Sequence, residues 1–230
     1  MVGYRIHAIP SRNQSPTNFI KGAPMTSLSH LAVVLIGGKA KRLGGIDKAA
    51  LPHKTGNQDK TFLSHLCNTL DSVSVPWVLS GRPSQHSQYS NSPFCEDLYP
   101  DTGPLGGLVS AMETFPADWY LLVACDLPLF SPAIPKKLFE LQSVHPEAKV
   151  VIPRQAPHLQ STGALYHNSL LPQLKERLKE GKCSFHKFIR ALPVDQVQYW
   201  DLTFQQATEF LNINHPDDLQ KLAKIQGETP

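Results

Sequence analysis

One boundary in the sequence constrains the fold more than any other feature. Residues 31–36 read LAVVLI, a short β-branched apolar run, and they meet Gly37-Gly38 with no transition. Six apolar residues without polar alternation predict a strand buried on both faces, the kind that parallel sheets contain. Such a strand needs helices above and below it, and the rest of the chain offers them by turns. Phe62, Leu63, Leu66 and Leu70 have helical spacing, 77–79 predicts a second strand, and 105–115 a helix after a Gly-Pro turn. A very apolar strand at 119–124 stops at Asp126, followed by a helix over 132–144, strands at 149–153 and 163–166, and helices over 170–179 and 184–191. Late strands at 194–199 and 211–213 and a closing helix over 216–225 complete the pattern. This alternation predicts an α/β fold, a mostly parallel sheet with helices on both faces, and places function at the C-terminal ends of the strands.

Twenty prolines punctuate the 230 residues and exclude long helical bundles. The expected organisation is a single domain over 31–226 behind an N-terminal extension, 1–30. Arg5, Arg12 and Lys21 occur in that extension without any acidic residue, and Pro10, Pro16 and Pro24 break helical periodicity, so it is expected to be disordered. Met25 is an alternative start. A net charge of +3 is too mild to imply a nucleic-acid partner. No apolar run approaches the roughly 20 residues that cross a bilayer. Cys67, Cys95, Cys125 and Cys183 form no CxxC pair, which predicts reduced thiols and a cytoplasmic protein, expected to be monomeric, rather than a zinc or disulfide scaffold.

The loop after the first strand carries the chemistry. Residues 37–48 hold four glycines and four cations: Gly37, Gly38, Gly44 and Gly45 with Lys39, Lys41, Arg42 and Lys48. Glycine lets backbone amides approach an anion, and Lys or Arg supply countercharge, which is what a polyphosphate needs. Neither the Walker pattern nor the GxGxxG dinucleotide pattern is present. Glycines and cations alone are also compatible with a solvated basic turn.

The wider spacing is more specific. LIGGKAKRLGGIDK resembles LAGGxSxRMGGxDK, the signature loop of nucleotidyltransferases that build molybdenum cofactor dinucleotides. Glu96-Asp97, then GPLGG at 103–107 resembling GPLAG, then Cys125-Asp126-Leu127-Pro128 resembling CDxP follow in the same order, and NINHPDDL at 212–219 is similar to NxNTPEDL. The chain thus resembles the molybdenum cofactor guanylyltransferases. That resemblance implies a Rossmann-like three-layer nucleotide-diphospho-sugar transferase fold and the transfer of GMP from GTP to the terminal phosphate of molybdopterin, with pyrophosphate released. It implies Mg²⁺, or Mn²⁺ in its place, held by Asp126. It also implies transient contacts with cofactor-synthesis proteins and apo-molybdoenzymes.

By the same resemblance Arg42, Lys48 and Asp126 are the catalytic candidates. Leu35, Ile36, Gly37, Gly38, Arg42, Gly44, Lys48, Asp97, Gly103, Pro104, Leu105, Gly106 and Asp126 are the nucleotide-binding candidates. Arg42 is assigned to the triphosphate, and Asp97 to the donors of a guanine edge. Asn214 lies either near the metal or acceptor, or caps the helix that begins at Pro216; Asp126 itself could cap a helix beginning near Ser131. The chain departs from the family pattern in three places, one of them Leu43 in place of methionine. Ile36 stands where the loop usually has alanine, and Leu79-Ser80-Gly81-Arg82 lacks an asparagine that often follows the second strand. CTP-dependent or sugar-phosphate nucleotidyl transfer is the alternative enzyme reading, and a nucleotide-binding regulator without chemistry is the third.

Overall fold

The computed structural model describes residues 28–36, 48–55 and 58–227. The LAVVLI run lies in β1 (Leu28–Leu35), which begins within the segment expected to be an extension. β1 pairs in parallel with β4 (Trp77–Gly81) on one side and β6 (Ala117–Ala124) on the other, and β4 carries β5 (Phe94–Glu96) beyond it. The order β5-β4-β1-β6 reverses direction of winding at β1 and β6, which is the topological switch point of a Rossmann-like sheet. Beyond β6 come β9 (Ala164–His167), β7 (Val150–Gln155) and β10 (Val197–Asp201). β9 runs antiparallel to both of its neighbours, and the two-residue β8 (His158–Leu159) pairs with β7. The sheet is therefore mostly parallel with one reversed strand inside it.

Successive residues of β1 point to opposite faces and build two cores. Ala32 and Val34 pack with Leu63, Leu66 and Leu70 of α1 (Phe62–Ser72). Leu31 and Val33 pack with Leu105, Leu108 and Met112. Between these helices in sequence lies the single turn α2 (Pro83–His86), and α3 (Pro104–Thr114) carries the second set of leucines. α4 (Ala133–Val144) covers the first face; α5 (Leu171–Lys179) and α6 (Phe185–Ile189) cover the second. Each core residue of this size contributes roughly 1.5–3 kcal/mol when fully buried, so the three-layer arrangement has ample driving force.

Two short helices, α7 (Phe204–Thr208) and α8 (Pro216–Ile225), close the chain. The strand expected at 211–213 does not form. Ile213 is fully buried with Phe62 and Leu222, and its amide donates to the Asp126 carbonyl at 3.0 Å, so the segment is a plug over the sheet's C-terminal edge rather than a rung within it. The hairpin β2 (Pro52–Thr55) and β3 (Gln58–Thr61) also escaped the sequence pattern, because PHKTGNQDKT has no apolar alternation. Among the described residues no helix is long and apolar enough to cross a membrane. The four cysteines are free thiols; burial raises Cys95 to about 11 and Cys67 further still, so neither ionises at neutral pH.

Candidate active site

Three side chains far apart in sequence meet at the switch point. Lys48 opens a short 3₁₀ turn whose next residue, Ala49, is buried in the core, so the turn is anchored and the lysine is aimed. Its Nζ donates to Asp126 Oδ2 at 2.8 Å and to Asn214 Oδ1 at 2.6 Å. Asp126 sits just past the C-terminal end of β6, where the Cys125 amide donates to the Leu35 carbonyl at 3.0 Å and fixes the turn against β1. Asn214 is delivered by the plug, since Ile213 bonds the Asp126 carbonyl. The Lys48 and Asp126 side chains are only 16% and 13% exposed, which strengthens their interaction over that of a surface ion pair.

The open question about Asn214 is decided by its neighbours. Asp218 Oδ2 accepts from the Asn214 and His215 amides at 3.0 and 2.9 Å, so α8 is capped by its own third residue, and the Asn214 side chain faces Lys48 instead. Asp126 is no helix cap either, because Ser131 Oγ accepts from the Ala133 amide at the start of α4. One atom of the cluster stays unsatisfied. Asp126 Oδ1 is buried, and no hydrogen-bond partner for it lies among the described residues. A buried carboxylate oxygen without a donor is costly unless a ligand completes it. A hard divalent cation fits there, since Mg²⁺ takes one or two protein carboxylates and completes its shell with water and substrate phosphates. Among the described residues no group of three or more His, Cys, Asp or Glu lies close enough together to hold a metal ion.

The opposite side of the crevice is lined by backbone and by missing side chains. Gly103 has φ +70° and Pro104 occupies the first turn of α3, so GPLGG forms the helix entry that its sequence suggests. A Cβ on Gly106 would meet Thr102 Oγ1 at 2.0 Å and the Tyr99 carbonyl at 2.8 Å; one on Gly107 would meet Leu35 Cδ2 at 2.6 Å. Helix α3, with Leu105 fully buried, is thereby drawn against the tips of β1 and β4. The positive end of its dipole then lies at the strand ends. Asp97 follows β5, and its amide donates to the Gly81 carbonyl at 2.8 Å. Its carboxylate accepts from the Tyr99 amide on Oδ1 at 3.0 Å, and burial raises its pKa despite that bond.

Two of the departures from the family pattern, at Ile36 and at Gly81, compensate each other. Ile36 is 4% exposed and turns into the core, where its Cγ1 would lie 2.9 Å from a Cβ at Gly81. The added bulk at 36 therefore occupies the space left by the bare position at 81. Ser80 Oγ, beside Gly107, is buried without a partner and is a second unsatisfied polar atom on this side. Gln85 was not legible as a site residue, being one polar residue in a polar turn; its side chain bonds the Ile36 carbonyl and the Arg82 amide. Of the sequence-derived candidates, Gly37, Gly38, Arg42 and Gly44 lie outside the described residues. Leu35, Ile36, Lys48, Asp97, Gly103, Pro104, Leu105, Gly106, Asp126 and Asn214 all fall along the C-terminal edge of β1, β4, β5 and β6.

Comparison with known proteins agrees with this geometry. A family model described as the MobA-like NTP transferase domain matches residues 32–197. A molybdenum cofactor guanylyltransferase of Vibrio cholerae is 29% identical over 84% of this chain and 91% of its own length. A probable molybdenum cofactor guanylyltransferase of Halalkalibacterium halodurans is 30% identical over 86% of this chain and 99% of its own. The crystal structure of molybdopterin-guanine dinucleotide biosynthesis protein A from Archaeoglobus fulgidus superposes with a TM-score of 0.69 at 20% identity, covering 86% of this chain and 98% of that one. The chain belongs to the MobA-like NTP transferase domain family and is a nucleotidyltransferase.

Proposed function

We propose that the protein transfers GMP from GTP to the terminal phosphate of molybdopterin, releasing pyrophosphate. The observation that carries this reading is the convergence of Lys48, Asn214 and Asp126 at the switch point with one carboxylate oxygen left without a partner among the described residues. An oxygen of the acceptor phosphate attacks the α-phosphorus of GTP, a new P–O bond forms, and the bond to the β-phosphate oxygen breaks. The acceptor phosphate is already ionised at neutral pH, so no general base is needed. That suits a site whose chemistry is positioning and charge neutralisation.

Asp126 holds the divalent cation, Mg²⁺ or Mn²⁺, whose charge neutralises the triphosphate when bound. Lys48 restrains the Asp126 carboxylate in the free protein and turns to the nucleotide phosphates when GTP enters. Asn214 keeps that lysine pointed into the crevice and faces the acceptor side. Arg42, on the glycine loop, is assigned to the leaving pyrophosphate, where a planar guanidinium matches phosphate geometry. Leu35, Ile36, Gly37, Gly38 and Gly44 supply the backbone along which the nucleotide lies, and Gly103, Pro104, Leu105 and Gly106 supply its far wall. Asp97 accepts from guanine N1–H and N2–H₂; among the described residues its carboxylate is bonded by the Tyr99 amide and the Ser110 hydroxyl through Oδ1, which leaves Oδ2 for the base.

The test is pyrophosphate release by purified protein with Mg²⁺, molybdopterin and each nucleoside triphosphate in turn. Release with GTP alone is expected. Release with CTP, or only with a sugar phosphate as acceptor, overturns the substrate assignment. Tight GTP binding without turnover leaves a nucleotide-binding regulator.

A further inference from the structure

The β1–β4 ladder ends in an irregular way. Its regular parallel rungs include Ala32 N–H donating to the Pro76 carbonyl and Ile36 N–H donating to the Ser80 carbonyl, at 2.8 and 2.9 Å. The next rung in this register would join Arg82 N–H to the Ile36 carbonyl. That bond is not made. The Gln85 carboxamide stands between the two groups instead: Nε2 donates to the Ile36 carbonyl at 3.2 Å, and Oε1 accepts from Arg82 N–H at 3.0 Å. A side-chain carboxamide has taken the place of the direct peptide-to-peptide bond at this rung.

The neighbouring seams keep their direct bonds. Asp97 N–H still bonds the Gly81 carbonyl between β4 and β5, and Cys125 N–H still bonds the Leu35 carbonyl between β1 and β6. Among the described residues the bridged rung is confined to the β1–β4 seam, over which Gly107 brings α3. Gly81 is required by the same device, because a Cβ there would lie 2.8 Å from Gln85 Oε1.

We propose that Gln85 is a positioning residue for the nucleobase: its carboxamide wedges the β1–β4 seam open and sets the width of the purine entrance. It acts through the Ile36 carbonyl and the Arg82 amide, and Gly81 is bare to admit it. This inference rests on the GMP-transfer reading. Without the wedge the missing rung can close directly, and the entrance narrows against a two-ring base more than against a one-ring base.

The experiment is GTP and CTP binding by calorimetry on the full chain with Mg²⁺, alongside steady-state turnover and thermal melts. Gln85→Ala is expected to weaken GTP binding and raise its KM about tenfold, roughly what two lost neutral hydrogen bonds allow, while kcat stays within about twofold. CTP binding is expected to stay near the wild-type value. Gln85→Glu keeps an acceptor for Arg82 but sets an oxygen against the Ile36 carbonyl, so it shares the loss. Gly81→Ala displaces the carboxamide and should give the same KM effect, and the double variant Gly81→Ala/Gln85→Ala should be no weaker than the worse single variant within about threefold. Wild-type GTP affinity in Gln85→Ala, or single effects that multiply in the double variant, overturns the proposal. Failure of the wild-type protein to bind GTP overturns the GMP-transfer reading and this inference with it.

Discussion

The two walls of the crevice are built by opposite means. The wall at Asp126 gathers charged and polar side chains from three distant segments, Lys48 and Asp126 being 78 positions apart in the sequence and Lys48 and Asn214 166. The wall at Gly81 and Gly107 works by leaving side chains out, so that strand tips and a helix N-terminus come close. Charge on one wall can be aimed at the reacting phosphorus. A backbone surface on the other can recognise a flat base with little reorganisation. Damage to the first wall should therefore appear in kcat and damage to the second in KM or in stability.

The largest effect should come from Asp126→Asn, an isostere that keeps the Ile213 backbone bond. Turnover is expected to fall at least about a thousandfold, roughly 4 kcal/mol of transition-state stabilisation, with the thermal midpoint unchanged or raised. Pyrophosphate release and a thermal melt check it, and retained activity would remove the metal role. Lys48→Ala is next, with about a hundredfold loss in kcat/KM, and Lys48→Arg should not restore it because a fork cannot replace a point charge between two acceptors. Asn214→Ala should cost about tenfold, near the value of one hydrogen bond to a charged group. A loss of GTP affinity equal to the loss in kcat would show that it serves the nucleotide rather than the acceptor.

The second wall is tested by Gly107→Ala. Its Cβ meets Leu35 Cδ2 at 2.6 Å, so overpacking of about 1–3 kcal/mol is expected, with the helix pushed off the strand tips. A lower thermal midpoint with a raised KM for GTP fits; an unchanged midpoint would break the contrast between the walls.

A smaller effect follows from pH. His53 and His65 stack with ring centroids 4.0 Å apart beneath the loop after Asp126, and His53 Nε2 donates to the Pro128 carbonyl at 2.7 Å. Burial, then the charge of His53, holds His65 down to about 4, and burial lowers His53 as well. Both rings bind protons less readily when folded than when unfolded. The His65 contribution is full above pH 6.5 and is lost as pH falls from 6.5 toward about 4. Melts across that window should show the decline, and His65→Phe should flatten it.

The sequence alone was enough for the main alternation of strands and helices. LAVVLI against Gly37-Gly38, WYLLVA ending at Asp126 and GPLGG each carry a local signal, because burial and turn chemistry act within a few residues. Strand 211–213 misled for the same reason: three apolar-flanked residues look alike whether they join a ladder or plug a crevice. Gln85 had no local signal, since its role depends on which two backbone groups lie unpaired beside it. The pairing of Ile36 with Gly81 was equally invisible, as neither residue is unusual until the strands are side by side. What the sequence by itself determined was the main alternation of buried strands with the helices that cover them. Only the tertiary structure decided that Asn214 turns to Lys48 rather than to a helix cap, that one oxygen of Asp126 is left without a donor among the described residues, and that Gln85 bridges the β1–β4 seam. Those outcomes depend on hydrogen-bond partners brought together from positions 49 to 166 apart in the sequence, and no local pattern encodes them.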